Sequence, residues 1–414
     1  MRTKKLKIPT YYLTNPFYAY AISILTVVLF FSLRWSNYYR TLSDSVVIFL
    51  LLSSIIAIFI GKYSSLDRKL IFHAIPVSKH NKTVWYFIIV GYLLEFLYCR
   101  SIPIVSVVFN GMGNYRDFTG IPTFHVLLST LSSFWGIYVF VQYQSNPDNK
   151  ELKKYCGLAF IPHLLLLNRG ALVHILLSDV FIYLIRKKYL SLKLIGKFLL
   201  GFLLFLFAFG FIGNIRDENS QTDSDYILKI GGATDEFVDS NIPESLYWGY
   251  MYIASPIGNL QDAITYSKPE SDYGSFIAML MECCLPDFIS NRLTMLFPVK
   301  GKIDQESYMV TPIFNASTTY HLPYLRMGWI GVIWMFLFMI INILICEKML
   351  YKSVYFLVGW SSLLSIITLN TFNNMWYYSG SIFLFVFAIS SIKKLFHHAR
   401  KDKQSVGISC GSNL

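Results

Sequence analysis

Ten apolar runs dominate this chain, at roughly residues 17–34, 45–61, 84–104, 121–143, 155–168, 171–185, 194–213, 328–346, 353–369 and 376–392. A helix needs about 20 apolar residues to cross a hydrocarbon core about 30 Å thick. An average soluble domain carries about 25% charged residues. Here the charged share is 14% and the hydrophobic share 54%. Those values exclude an ordinary multidomain soluble enzyme, and they exclude disorder. The expected fold class is an all-α polytopic membrane protein of about ten transmembrane helices. Basic Arg2, Lys4, Lys5 and Lys7 precede the first run with no small-residue cleavage site. That run therefore reads as a first span and not as a cleaved leader.

The formal net charge of +12 is parcelled into short clusters between the runs. It carries topology information and does not describe a nucleic-acid face. The segments on the N-terminal side hold 24 of the 36 Lys and Arg residues, and the opposite side holds 12. The positive-inside rule then places both termini in the cytoplasm. Residues 1–213 would carry spans one to seven, and 214–327 a large periplasmic loop. Residues 328–395 would carry spans eight to ten, and 396–414 a polar, disordered cytoplasmic tail. Of the six cysteines, Cys99, Cys156, Cys346 and Cys410 lie in runs, at their inner ends or in the tail, and Cys283-Cys284 are adjacent. They do not make a disulfide framework.

The loop 214–327 holds 15 of the 24 acidic residues. Inside it, Tyr250, Ile253, Ile257, Leu260 and Ile264 repeat at helical spacing. Ser255-Pro256 looks like an N-cap followed by Pro at the first helical position. Two short helices on the outer membrane face are therefore expected there. Segment 274–298 is also apolar and broken.

Arginines gather at the outer face. Arg169 lies in Asn168-Arg169-Gly170 between two short runs of about 21 Å each. Its turn should sit below the surface, in a cavity, where an ionised group needs a partner or water. Arg216 closes the seventh run in Gly213-Asn214-Ile215-Arg216, beside Asp217 and Glu218. Arg326 precedes Met327-Gly328-Trp329, Arg116 lies in Tyr115-Arg116-Asp117, and Arg292 lies within the loop. Arg suits bidentate contact with phosphate oxygens. His321 is the only His of the large loop and is the first candidate base; Asp217, Glu218 and Glu244 are carboxylate rivals. His163 and His174 flank Arg169 within spans, and Glu95 and Asp179 are membrane-buried charges. Asp223-Ser224-Asp225 has a metal-binding spacing, but it lies in an acidic stretch where such spacing arises by chance. No zinc cluster, phosphate loop, dinucleotide fingerprint or nucleophile elbow is present, so no metal and no cofactor are expected.

Four stretches together resemble a family. They are Glu95 through His125, with Pro103, Tyr115-Arg116 and Gly120 to His125; Asn168-Arg169-Gly170; Gly213 to Arg216; and Asn315 with Ser317-Thr318, then Gly328 and Gly331. The pattern is similar to that of the bacterial O-antigen polymerases, the Wzy-type oligosaccharide repeat-unit polymerases. The resemblance implies a GT-C-like membrane glycosyltransferase of the bacterial inner membrane, working under its large outer loop. Donor and acceptor would be undecaprenyl-pyrophosphate-linked oligosaccharides in membrane lipid, joined with inversion and without metal. A chain-length regulator protein would be a partner, and nucleic acid would not. Under that resemblance Arg169, Arg216 and Arg326 hold pyrophosphate, Arg116 admits one lipid, and Arg292 is a further anion contact. His321 takes the acceptor proton. Tyr247, Trp248, Tyr250, Tyr252, Asn259, Asn315 and Tyr320 contact sugars, or the aromatics anchor at the interface. The rival readings are an O-antigen ligase-like transferase, a lipid-linked oligosaccharide flippase and a scaffold.

Overall fold

The computed structural model describes residues 7–64, 70–106, 118–216, 226–297, 300, 301, 303–311 and 313–390. Arg116, Asp217, Glu218, Asp223 to Asp225 and the tail fall outside them. The described chain is mostly helical. In order it forms α1 (Pro16–Ser32), α2 (Asp44–Tyr63), α3 (Asn81–Cys99), α4 (Phe124–Ser145), α5 (Lys150–Leu158), α6 (Ile161–Leu165) and α7 (Arg169–Lys187). There follow α8 (Leu192–Arg216), α9 (Glu244–Tyr266), α10 (Tyr273–Met279), α11 (Asp287–Leu296), α12 (His321–Leu350), α13 (Phe356–Leu369) and α14 (Ser379–Ser390). Among the described residues, α2, α3, α4 and α12 are long and apolar enough to cross a membrane.

The apolar runs coincide with helices, with one exception. Run 155–168 is split between α5 and α6, because Pro162 opens a new helix instead of continuing the old one. Segments expected on one side meet one another. Strand β1 (Lys7–Pro9) pairs antiparallel with β2 (Tyr189–Ser191). Gln142 at the end of α4 accepts from Ser78 N and Asn81 Nδ2, at 2.9 and 2.8 Å. At the other end, the Trp35 turn bridges to Ala233 through Ser36.

Helix α9 corrects an expectation. Residues 244–266 form one helix with Pro256 inside it, not two short surface helices. The anticipated stripe is buried except at Ile264, but Tyr247, Met251, Ala254, Asn259 and Ala263 are buried as well. A helix buried on nearly every side belongs to a core, and α9 packs against α1, α8 and α12. Segment 274–298 is broken as expected, into α10, a π-turn at Leu280–Cys284 and α11.

Helix α12 begins earlier and deeper than its apolar run suggests. It kinks at Gly328, whose φ of 58° and ψ of −144° only glycine adopts readily. Tyr320, just before the helix, packs its ring against Phe49 and hydrogen-bonds Tyr20, which in turn holds Ser53. Phe49 and Ser53 lie five and nine residues along α2 from Asp44, so the start of α12 is set in by about 8 to 13 Å from that end. Irregular backbone at such depth is tolerated where protein buries it, and residues 317–321 are all buried.

Two apolar clusters form the core. The larger joins α1, α2, α7, α9, α12 and α13. The smaller, built on Ile88, Tyr92, Leu128, Trp135 and Tyr155, holds α3 to α5 together. The candidate site lies along the seam between them.

Candidate functional site

The seam opens into a cavity of about 1320 Å³ walled by α1, α4, α7, α8, α9 and the 368–384 segment. Its wall is apolar over most of its length, with Ala19, Ile22, Val27, Leu177, Val180, Phe181, Phe198 and Leu206 among the lining residues. The polar lining includes His125, Asn168, Arg169, His174, Lys197, Asp287 and Asn373, with Ser and Thr side chains among them. A smaller pocket of about 330 Å³, bounded by Phe118, His125 and Leu166 to Gly170, shares His125, Asn168, Arg169 and Gly170 with it.

Arg169 is the first residue of α7. Leu167, at a φ of 54°, turns the chain out of α6, and Asn168 then caps α7 by accepting from Ala171 N at 3.0 Å. The Arg169, Ala171 and Leu172 amides are paired with Leu167 O, Asn168 Oδ1 and Asn168 O, and the positive end of this 19-residue helix dipole lies where Arg169 and Gly170 line both cavities.

Across the pocket, His125 Nδ1 lies 2.8 Å from Glu95 Oε2. Glu95 is 0% exposed and His125 is 24% exposed at its side chain. The sequence arranges this meeting one turn away. Gly91 lets Leu128 pack onto α3 so closely that a Cβ there would stand 2.7 Å from the Leu128 side chain. Gly120 lets the incoming loop lie over the imidazole: its φ is 65°, and a Cβ would reach the ring at 2.6 Å. Phe118 meets the same ring edge-on at 5.8 Å. Deeper in the seam, His163 Nε2 lies 3.2 Å from Ser133 Oγ. His174, which lines the large cavity, has no partner on either ring nitrogen among the described residues. Among those residues no three His, Cys, Asp or Glu side chains converge as a metal site.

The other sequence candidates are elsewhere. His321 is buried, with Nε2 3.4 Å from the Tyr308 carbonyl, and it lines neither cavity. Arg326 is also buried, and it grips Glu282 through Nε and Nη2 at 2.8 and 2.7 Å. Arg292 lies exposed on α11, bonded to the Phe288 carbonyl. Arg216 ends α8. Asn259 uses its whole amide on backbone: Nδ2 donates to Phe314 O and Ala316 O, and Oδ1 accepts from Val310 N. Asn315 is exposed and Tyr320 is buried on Tyr20. Tyr247 and Tyr250 spend their hydroxyls on the 35–36 and 231 backbone. Of the aromatic set on α9, Tyr252 alone reaches the cavity wall.

Arg169, Tyr252 and His174 are thus the sequence candidates that the fold brings to the large cavity, and Glu95 and His125 are the pair whose meeting sequence reasoning missed. The available signal was an acidic residue inside an apolar run. Which side chain it meets depends on the packing register of α3 on α4, and no local pattern encodes that register. Comparison with protein-family models, curated proteins and solved structures finds no match to this chain.

Proposed function

We propose that this protein is a membrane-embedded glycosyltransferase acting on polyisoprenyl-pyrophosphate-linked oligosaccharides, joining such units on the outer face of a bacterial inner membrane as a repeat-unit polymerase. One observation carries the reading: Arg169, at the N-terminus of α7, lines a large and mostly apolar cavity. A lipid tail matches the apolar wall, and a pyrophosphate matches a guanidinium carried at a helix N-terminus. As the anomeric bond breaks, charge builds on the leaving pyrophosphate. A fixed donor in a partly desolvated site stabilises that charge more in the transition state than in the ground state. Ten spans, with both termini inside, are part of the same proposal.

The flippase reading needs a polar path for the glycan. Leu, Ile, Val and Phe are the most numerous side chains of the cavity lining, which suits a lipid tail better than passing sugars. Arg326 and Asn259 leave the substrate-binding set here, since their polar atoms are committed to Glu282 and to backbone.

The test is reconstitution. Purified protein in vesicles receives the lipid-linked oligosaccharides that accumulate when the gene is deleted from its host, with and without EDTA. The expected product is a ladder of longer lipid-linked glycans in both conditions. Transfer to a different acceptor would favour the ligase, and movement of unextended units across the bilayer would favour the flippase.

A further inference from the structure

We infer that His125 is the base that accepts the acceptor hydroxyl's proton, with Glu95 holding its ring; this rests on the proposed transferase reading. The pair has the arrangement such a role needs. A carboxylate buried at 0% exposure sits 2.8 Å from Nδ1. With Nδ1–H donating to that carboxylate, the proton is fixed on Nδ1 and the Nε2 lone pair is left to accept. The ring lines both the small pocket and the large cavity, and Arg169 lines both as well. Phe118 and Gly120 hold the ring from its outer side. His321 has no such placement, because it lines neither cavity.

The step balances with the groups present. The acceptor O–H gives its proton to His125 Nε2 as its oxygen bonds to the anomeric carbon of the donor. The anomeric C–O bond to pyrophosphate breaks, and its electron pair leaves on the pyrophosphate oxygen beside Arg169. The imidazolium, paired with Glu95, then releases the proton to water. Attack from the face opposite the leaving group inverts the anomeric centre.

The experiment uses the full-length protein in nanodiscs. One arm measures binding of undecaprenyl pyrophosphate, and the other measures turnover of the accumulated lipid-linked oligosaccharide. His125→Ala is expected to lower turnover by about 10²- to 10⁴-fold while keeping undecaprenyl pyrophosphate affinity within about threefold. Added imidazole should restore part of that turnover by entering the vacated pocket. His125→Asn, which keeps an N–H for Glu95 but has no basic nitrogen, guards against misfolding and should be equally slow. Glu95→Gln should lower kcat by at least about tenfold with little change in KM. His125→Ala or His125→Asn turning over like wild type, or the loss appearing instead in His321→Ala, would overturn the assignment and leave the transferase reading standing. Wild-type protein that neither binds undecaprenyl pyrophosphate nor extends the lipid-linked oligosaccharide would remove the reading itself.

Discussion

Arg326 and Glu282 form a fork-on-fork ion pair, with Nε and Nη2 of the one on Oε2 and Oε1 of the other at 2.8 and 2.7 Å. The guanidinium is 2% exposed at its side chain and the carboxylate 21%. The pair ties the π-turn after α10 to the first turns of α12, just ahead of the Gly328 kink. Removing one member strands the other. Arg326→Ala should destabilise the protein by about 3 kcal/mol, and Arg326→Lys should recover only part, since an ammonium cannot make the fork. Thermal unfolding in detergent measures both. A wild-type Tm for Arg326→Ala, with activity lost, would return Arg326 to substrate binding.

Asn259 gives a second stability test. Its three backbone hydrogen bonds hold Val310, Phe314 and Ala316 against α9. Asn259→Ala should cost about 2 to 3 kcal/mol and speed hydrogen exchange across 310–316. Unchanged exchange there would contradict the structural role.

Near α10, Asp272 bonds Lys300 at 2.7 Å and caps the helix by accepting from Ser275 N at 2.7 Å. Lys300 also bonds Glu270. Lys300, followed by the Ser275 amide, holds the Asp272 carboxyl down at about 2, against about 3.9 for an unperturbed Asp. A depressed carboxyl stabilises the fold fully above the unfolded value and loses that contribution as pH falls through the folded one. Amide exchange in 275–279, corrected for intrinsic rates, should therefore quicken between about pH 4 and pH 2. Asp272→Asn should flatten that dependence. An identical pH profile in wild type and variant would contradict it.

The apolar cavity can be filled without disturbing the core. Gly201 lines it, and a Cβ at that position would meet nothing within 4 Å. Gly201→Phe should leave Tm within about 2 °C, as a substitution away from packed features usually does, while weakening undecaprenyl pyrophosphate binding about tenfold. Unchanged affinity would place the lipid tail elsewhere.

Helix positions were largely legible in the sequence because most of the apolar runs are longer than a soluble core would tolerate. Depth was not. The run starting at residue 328 gave no sign that the chain turns helical at His321, because that segment is polar enough to pass for loop yet lies against α2. Pro256 was read as a helix start, but tertiary packing on α1, α8 and α12 carries α9 straight through it. Arg169 was legible from the two short runs around it. The Glu95–His125 contact was not, since it depends on how closely Gly91 lets α4 approach α3.

Arg169 is the most direct test of the account. Undecaprenyl pyrophosphate affinity and lipid-linked oligosaccharide turnover should be measured side by side for wild type, Arg169→Lys and Arg169→Ala. Loss of one oriented donor to the developing charge predicts a fall in turnover of about 10²- to 10³-fold in Arg169→Ala, with weakened pyrophosphate binding and with Arg169→Lys between the two. Arg169→Ala that folds, binds and turns over like wild type would contradict the pyrophosphate site at the head of α7.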